Sequence, residues 1–184
     1  MPENSAESLR HYLRNAIEAE KELEAHLRRL AAGTEDDDEV RSLFDTHADQ
    51  TRLQQNRLTG RLEQLDPGVS GASGTATPVL NVGPLVPQET HSVEERVLHN
   101  LLLSYTAETA ECAMYEAIAA LSHAAGDTVT ENLAREIQAE ERTTAEQIWH
   151  FLPSRSKIAF NMLTVSELDP AVETKLADDR LIGG

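Results

Sequence analysis

The sequence predicts an all-α protein, a four-helix bundle made of two antiparallel hairpins joined by one long crossover. Three observations carry this. Four stretches repeat apolar residues every three to four positions, the period of a helix with one buried face. Two of the intervals between them are short turns. The third is a long stretch rich in Gly, Ser, Thr and Pro that has no helical period.

The first helix is expected from Ser5 to Ala32, capped by Ser5 or Ser8. Its stripe reads Leu9, Leu13, Ala16, Glu20, Leu23, Leu27, Leu30. The acidic run Asp36-Asp37-Asp38 reads as a solvated turn, because it lacks the alternating oxygen ligands and the glycine of a calcium loop. The second helix is expected from Glu39 to Leu65, ending at Asp66-Pro67-Gly68, so the first pair forms a hairpin. The third starts at the capping-box sequence Ser92-Val93-Glu94-Glu95 and runs to Ala125. Gly126-Asp127 turns the chain into the fourth, which runs from Thr128 or Thr130 to Leu152, where Pro153 is expected to stop it. The bundle is thus placed at residues 5–152, with the crossover at 66–91. Residues 153–184 form a C-terminal extension, with one short helix around Lys157 to Leu163 and then an acidic tail.

A structureless segment of about 25 residues inside a compact domain is unusual. Here it has a geometric reason. Each long helix spans roughly 35–40 Å at ~1.5 Å per residue. A chain of that length, at up to ~3.3 Å per residue, can run back along the bundle before the third helix begins. That is the ferritin-like connectivity.

The chain of 184 residues suits one domain with a sizeable core. Its 32 acidic residues against 16 basic ones leave a formal charge of −16, which repels nucleic acid and anionic membrane and favours cations. One cysteine excludes an internal disulfide framework. The sequence shows neither a long apolar run nor a basic-then-apolar leader, so a cytoplasmic protein is expected, with no membrane partner.

The chemistry lies where the stripes are interrupted. Glu20 is the only charge in the first stripe. Glu108 is the only one in the third, Leu98, Leu101, Tyr105, Glu108, Cys112, Tyr115, Ala119. An inward carboxylate costs several kcal/mol unless something neutralises it, and one on each of two helices suggests a shared cation. The second stripe, Val40, Phe44, His47, Thr51, Gln54, Leu58, Leu62, Leu65, is polar in its middle. The fourth reads Leu133, Ile137, Glu140 or Glu141, Thr144, Ile148, Phe151. Folding the hairpins about residues 36 and 126 sets Glu20 level with position 52, Glu111 with Glu141 and Glu108 with Thr144. All four breaks therefore fall in one layer. Glu20, Glu108, Glu111 and Glu140 are expected to converge there, with Gln50 beside them and His47 about one turn away. Glu141 reads as solvent-facing, Tyr105 and Tyr115 as core aromatics, and Cys112 as a buried small residue. His47 reads either as a hydrogen-bonded core histidine or as a ligand.

Several motifs resemble those of the YciF/YciE-like ferritin-like stress proteins of bacteria. Ala19-Glu20-Lys21-Glu22-Leu23 is similar to that family's first-helix motif. His47, Thr51, Gln54, Arg57 and Leu58 fall in register with its second-helix signature H-x-x-E-T-x-x-Q-x-x-R-L. Glu108, Glu111 and Tyr115 match E-x-x-E-x-x-x-Y, and Glu140-Glu141 its paired acids on the fourth helix. The resemblance implies a stress-associated homodimer. One departure stands out, since Gln50 occupies the position of a glutamate. The E-x-x-H pairs of dimetal bundles are also missing.

Two readings follow. Two divalent ions carry +4 and the four glutamates −4, so a dinuclear centre of Fe or Mn held mostly by oxygen ligands is feasible. Alternatively, the chain is a non-enzymatic helical scaffold with a degraded, metal-free site, its acids bridged by hydrogen bonds or protonated.

Overall fold

The computed structural model describes residues 3–34, 36–67, 90 and 92–160, with side chains from Ala6 onward. They form four helices: α1 (Glu3–Ala32), α2 (Asp38–Leu65), α3 (Val93–Ala125) and α4 (Thr128–Ala159). Most of the expected crossover, and everything after Phe160, lies outside the described residues. None of the described helices is long and apolar enough to cross a membrane.

The helix ends follow the chemistry of their caps. Asp37 accepts a hydrogen bond from Val40 N at 3.2 Å and caps α2. Ser92 Oγ accepts one from Glu95 N at 3.0 Å and caps α3. Gly126, at φ 72°, ends α3 in the left-handed conformation that costs glycine least. Asp127 then caps α4, accepting from Thr130 N at 3.1 Å. The first helix starts at Glu3, so Ser5 lies within it rather than capping it. The acidic Glu7, in the first turns of α1, suits the positive end of the helix dipole.

The fourth helix differs most from expectation. It runs through Pro153 to Ala159, taking in the start of the short helix expected at Lys157. Proline removes one backbone donor, and tertiary contacts beyond it keep the turn in place. Arg155 is 2% exposed. Its Nε donates to Asp37 Oδ2 at 2.8 Å, and its Nη2 donates to Asp37 Oδ1 at 3.0 Å and to Glu39 Oε2 at 2.7 Å. The guanidinium also lies over the Phe151 ring at 4.7 Å. Asp37, read in the sequence as part of a solvated turn, is therefore a buried partner that ties α4 to the start of α2.

Cross-helix pairs fix the topology. Arg14 reaches Asp66 at 3.3 Å while Arg28 reaches Asp45 at 3.5 Å, so α1 and α2 are antiparallel. Gln138 donates to the Cys112 carbonyl and His123 meets Glu131, so α3 and α4 are too. Arg61 near the end of α2 grips Asp127 at the start of α4, and Arg155 at the far end of α4 grips Asp37. The end of α2 and the start of α3 thus lie at opposite ends of the bundle, across a diagonal: α1 packs on α2 and α3, and α4 on α3 and α2.

Inside, the apolar core comes in two pieces. One holds Leu9, Leu13, Leu58, Leu62, Ile118 and Ile137 with their neighbours. The other holds Leu23, Leu27, Phe44, Leu101 and Ile148 with theirs. A polar layer separates them.

Candidate metal centre

All four helices supply that layer. Glu20 comes from α1; His47, Thr51 and Gln54 from α2; Ser104, Glu108, Glu111 and Tyr115 from α3; Glu141 and Thr144 from α4. Each is at most 3% exposed. Four buried glutamates share the layer, and no Lys or Arg among the described residues is buried with them. The nearby Arg57 has a side chain 35% exposed.

The closest grouping is His47, Glu108 and Glu141, each offering one atom within 4.8 Å of the others. His47 Nε2 stands 3.2 Å from Glu108 Oε2 and 3.6 Å from Glu141 Oε2, yet neither contact is aligned as a hydrogen bond. On the other side of the layer, Tyr115 donates its hydroxyl proton to Glu20 Oε1. Gln54 Nε2 donates to Glu141 Oε1 and, at 2.9 Å, to Glu140 Oε2. Many ligand atoms have no hydrogen bond: both oxygens of Glu108 and of Glu111, Glu20 Oε2, Glu141 Oε2, Gln54 Oε1 and both ring nitrogens of His47. Buried polar atoms are rarely left so. A cation would satisfy these atoms, and so would protons kept on the carboxyls.

The electrostatics point the same way. Burial, the charge of Glu141 and to a lesser degree Glu140 push the Glu20 carboxyl well above its usual range, against the opposing Tyr115 bond. Burial and then Glu111, Glu141 and Glu20 do the same to Glu108. Burial, Glu20 and Glu141 do it to Glu111. The Tyr115 hydroxyl is pushed up by burial and by the charges of Glu20 and Glu111, so it stays a donor. Such a layer either keeps protons or takes up positive charge.

The residues singled out in the sequence are not all placed as expected. Glu20, Glu108 and Glu111 lie in the layer. Glu141, expected at the solvent, is fully buried there, and Glu140 stands at the rim with its side chain 32% exposed, paired with Arg57 at 2.6 Å. The reason is helical phase: Ala134, Ile137, Gln138, Glu141, Thr144, Ala145 and Ile148 form the buried face of α4. Phase also corrects α3. A straight helix drifts by about 20° per heptad from a 3.5-residue repeat, which brings Glu111 onto the seam and leaves Cys112 half-buried. Gln50 is half-buried, and the amide that meets the carboxylates belongs to Gln54, one turn on. Tyr115 is buried as expected but is also a hydrogen-bond donor to the layer, whereas Tyr105 packs against Trp149 at 5.4 Å between ring centres.

The family described as "Domain of unknown function (DUF892)" matches residues 4–160. The chain belongs to that family. Two solved structures share its fold. The Escherichia coli stress protein YciF has a TM-score of 0.72 and 21% identity, covering 85% of this chain and 99% of its own. A protein of Xanthomonas campestris pv. campestris has a TM-score of 0.66 and 22% identity, covering 89% of this chain and 99% of its own. No curated protein matches. The YciF-like resemblance carried by His47, Thr51, Gln54, Arg57 and Leu58 agrees with both the family and the fold. Within this DUF892 chain, the polar layer contains a His/Glu/Glu cluster that could hold a metal ion.

Proposed function

We propose that this DUF892 protein binds divalent cations in its mid-bundle carboxylate layer, as a dinuclear Fe or Mn centre. The observation that carries this is the set of four buried glutamates, most of whose oxygens accept no hydrogen bond, with no buried Lys or Arg beside them among the described residues. Two divalent ions balance the charges of Glu20, Glu108, Glu111 and Glu141. His47, Glu108 and Glu141 would hold one ion, with Glu20 and Glu111 completing the second position. One imidazole among carboxylates suits Fe(II) or Mn(II) better than thiolate-seeking ions. When bound, either metal supplies redox chemistry toward peroxide or dioxygen.

The chain's own side chains do the rest. Tyr115 orients Glu20, Gln54 holds Glu141, and the apolar layers above and below exclude water. The likeness to a stress protein supports a stress-associated role; a cytoplasmic location and a homodimer are part of the same proposal. The acidic surface argues against nucleic acid as a partner.

A second reading has its own support. Gln54 and Tyr115 already satisfy one oxygen each of Glu141 and Glu20, and Gln50 replaces an acid. A metal-free scaffold would use those bonds together with retained protons. Metal analysis of protein purified without chelator separates the two. The centre predicts two Fe or Mn per chain, and the scaffold predicts none.

A further inference from the structure

Every ligand atom of the layer is sealed. His47, Glu20, Glu108, Glu111 and Glu141 are each at most 2% exposed. A cation that reaches them must pass a side chain that moves. Among the described residues, one chain of hydrogen bonds leads from the layer to solvent. Glu141 accepts from Gln54, the same Gln54 amide donates to Glu140 at 2.9 Å, and Glu140 accepts from Arg57 at 2.6 Å. Glu140 and Arg57 are each about one third exposed, while Gln54 is fully buried.

We propose that Arg57, Glu140 and Gln54 form the gate through which divalent cations enter and leave the buried carboxylate layer. This rests on the metal-binding reading above.

In the closed arrangement, Arg57 neutralises Glu140 and both amide protons of Gln54 are spent on the two glutamates. The amide nitrogen must face them, since its oxygen there would oppose two carboxylate oxygens. Gln54 Oε1 is meanwhile buried without a partner, as is Arg57 Nη2. A cation at the rim reverses these preferences. Glu140 exchanges Arg57 for the cation, and half a turn of the Gln54 amide swaps donor for acceptor. A neutral oxygen then lies between the outer carboxylate and the inner one. Glu140 is thus a transit ligand rather than a resident one, and Gln54 is the latch.

A gate changes the rates of entry and exit together and leaves the equilibrium nearly alone. A resident ligand changes affinity, chiefly through the exit rate. The test is the binding and release of Mn(II) by the full chain, followed by stopped flow with a fluorescent Mn(II) indicator. R57M frees Glu140 and should speed both rates. E140Q keeps the shape but removes the charge that draws the cation, and should slow both by about tenfold, the weight of one charge interaction of ordinary strength. In both variants Kd should stay within about threefold, well under that factor. Thermal melts of metal-free protein check that each variant is folded. Wild-type binding with rates untouched by either change would overturn the gate alone. So would a weakened affinity in E140Q with faster release, which would make Glu140 a resident ligand. Wild type that binds no Mn(II) would overturn the metal-binding reading and the gate with it.

Discussion

Glu20 and Tyr115 show what single residues do in this layer. The Tyr115 hydroxyl is the only hydrogen-bond donor to Glu20 among the described residues. Y115F leaves that oxygen buried and unpartnered, and should cost the metal-free protein about 1–3 kcal/mol, read from urea unfolding. The acids make a second prediction. Glu20, Glu108 and Glu111 hold protons more tightly folded than unfolded, so their contribution to stability is full below the ordinary carboxylate value and is lost as pH rises toward their raised ones. In chelator-treated protein, E108Q should match wild type near about pH 5 and exceed it increasingly toward about pH 8. A gap that closes as pH rises would contradict this. Residue identity within the layer was only partly legible in the sequence. Glu20 and Glu108 stand alone in apolar stripes, so they were visible. Glu140 and Glu141 are adjacent, and a stripe that fits either cannot choose between two side chains about 100° apart.

Whole elements were easier to read wherever period, cap and breaker agree. Ser92 and Gly126 mark the ends of α3 with the chemistry those ends require. Asp127 carries more than a cap. Burial pushes its carboxyl up, but bonds from Thr130 and from Arg61, which grips it at 2.8 Å through both oxygens, outweigh this and hold it below its usual value. D127A should therefore destabilise the bundle by about 1–2 kcal/mol, the upper range for a lost cap, as read by thermal unfolding. The far end of α4 was not legible. Pro153 is a sound local stop signal, and what overrules it is a contact between Arg155 and Asp37 that no local pattern reveals. R155M strips the buried Asp37 of its cation and should cost about 3–5 kcal/mol. A loss near zero would mean that the pair does not hold that end together.

At the scale of the molecule, one polar layer interrupts an otherwise apolar core. That arrangement is poor for stability alone, since four buried carboxyls destabilise the fold unless protonated or neutralised. It makes sense if the bundle exists to present the layer to a cation. The sequence showed that the layer existed, because four stripes break at one height. It did not show the pairing of donors, which depends on the rotation of each helix. The acidic surface and the family resemblance lead us to expect a homodimer in light scattering and no DNA binding at physiological salt.

The most direct test is the melting temperature of chelator-treated wild type and E108Q, each with and without saturating Mn(II). Binding at about a hundred times Kd adds about 2.7 kcal/mol to the folded state, so Mn(II) should raise the wild-type midpoint by several degrees. Metal-free E108Q should melt above metal-free wild type, because a buried charge is gone, and should no longer respond to the ion. A wild-type midpoint unmoved by Mn(II) would contradict the account.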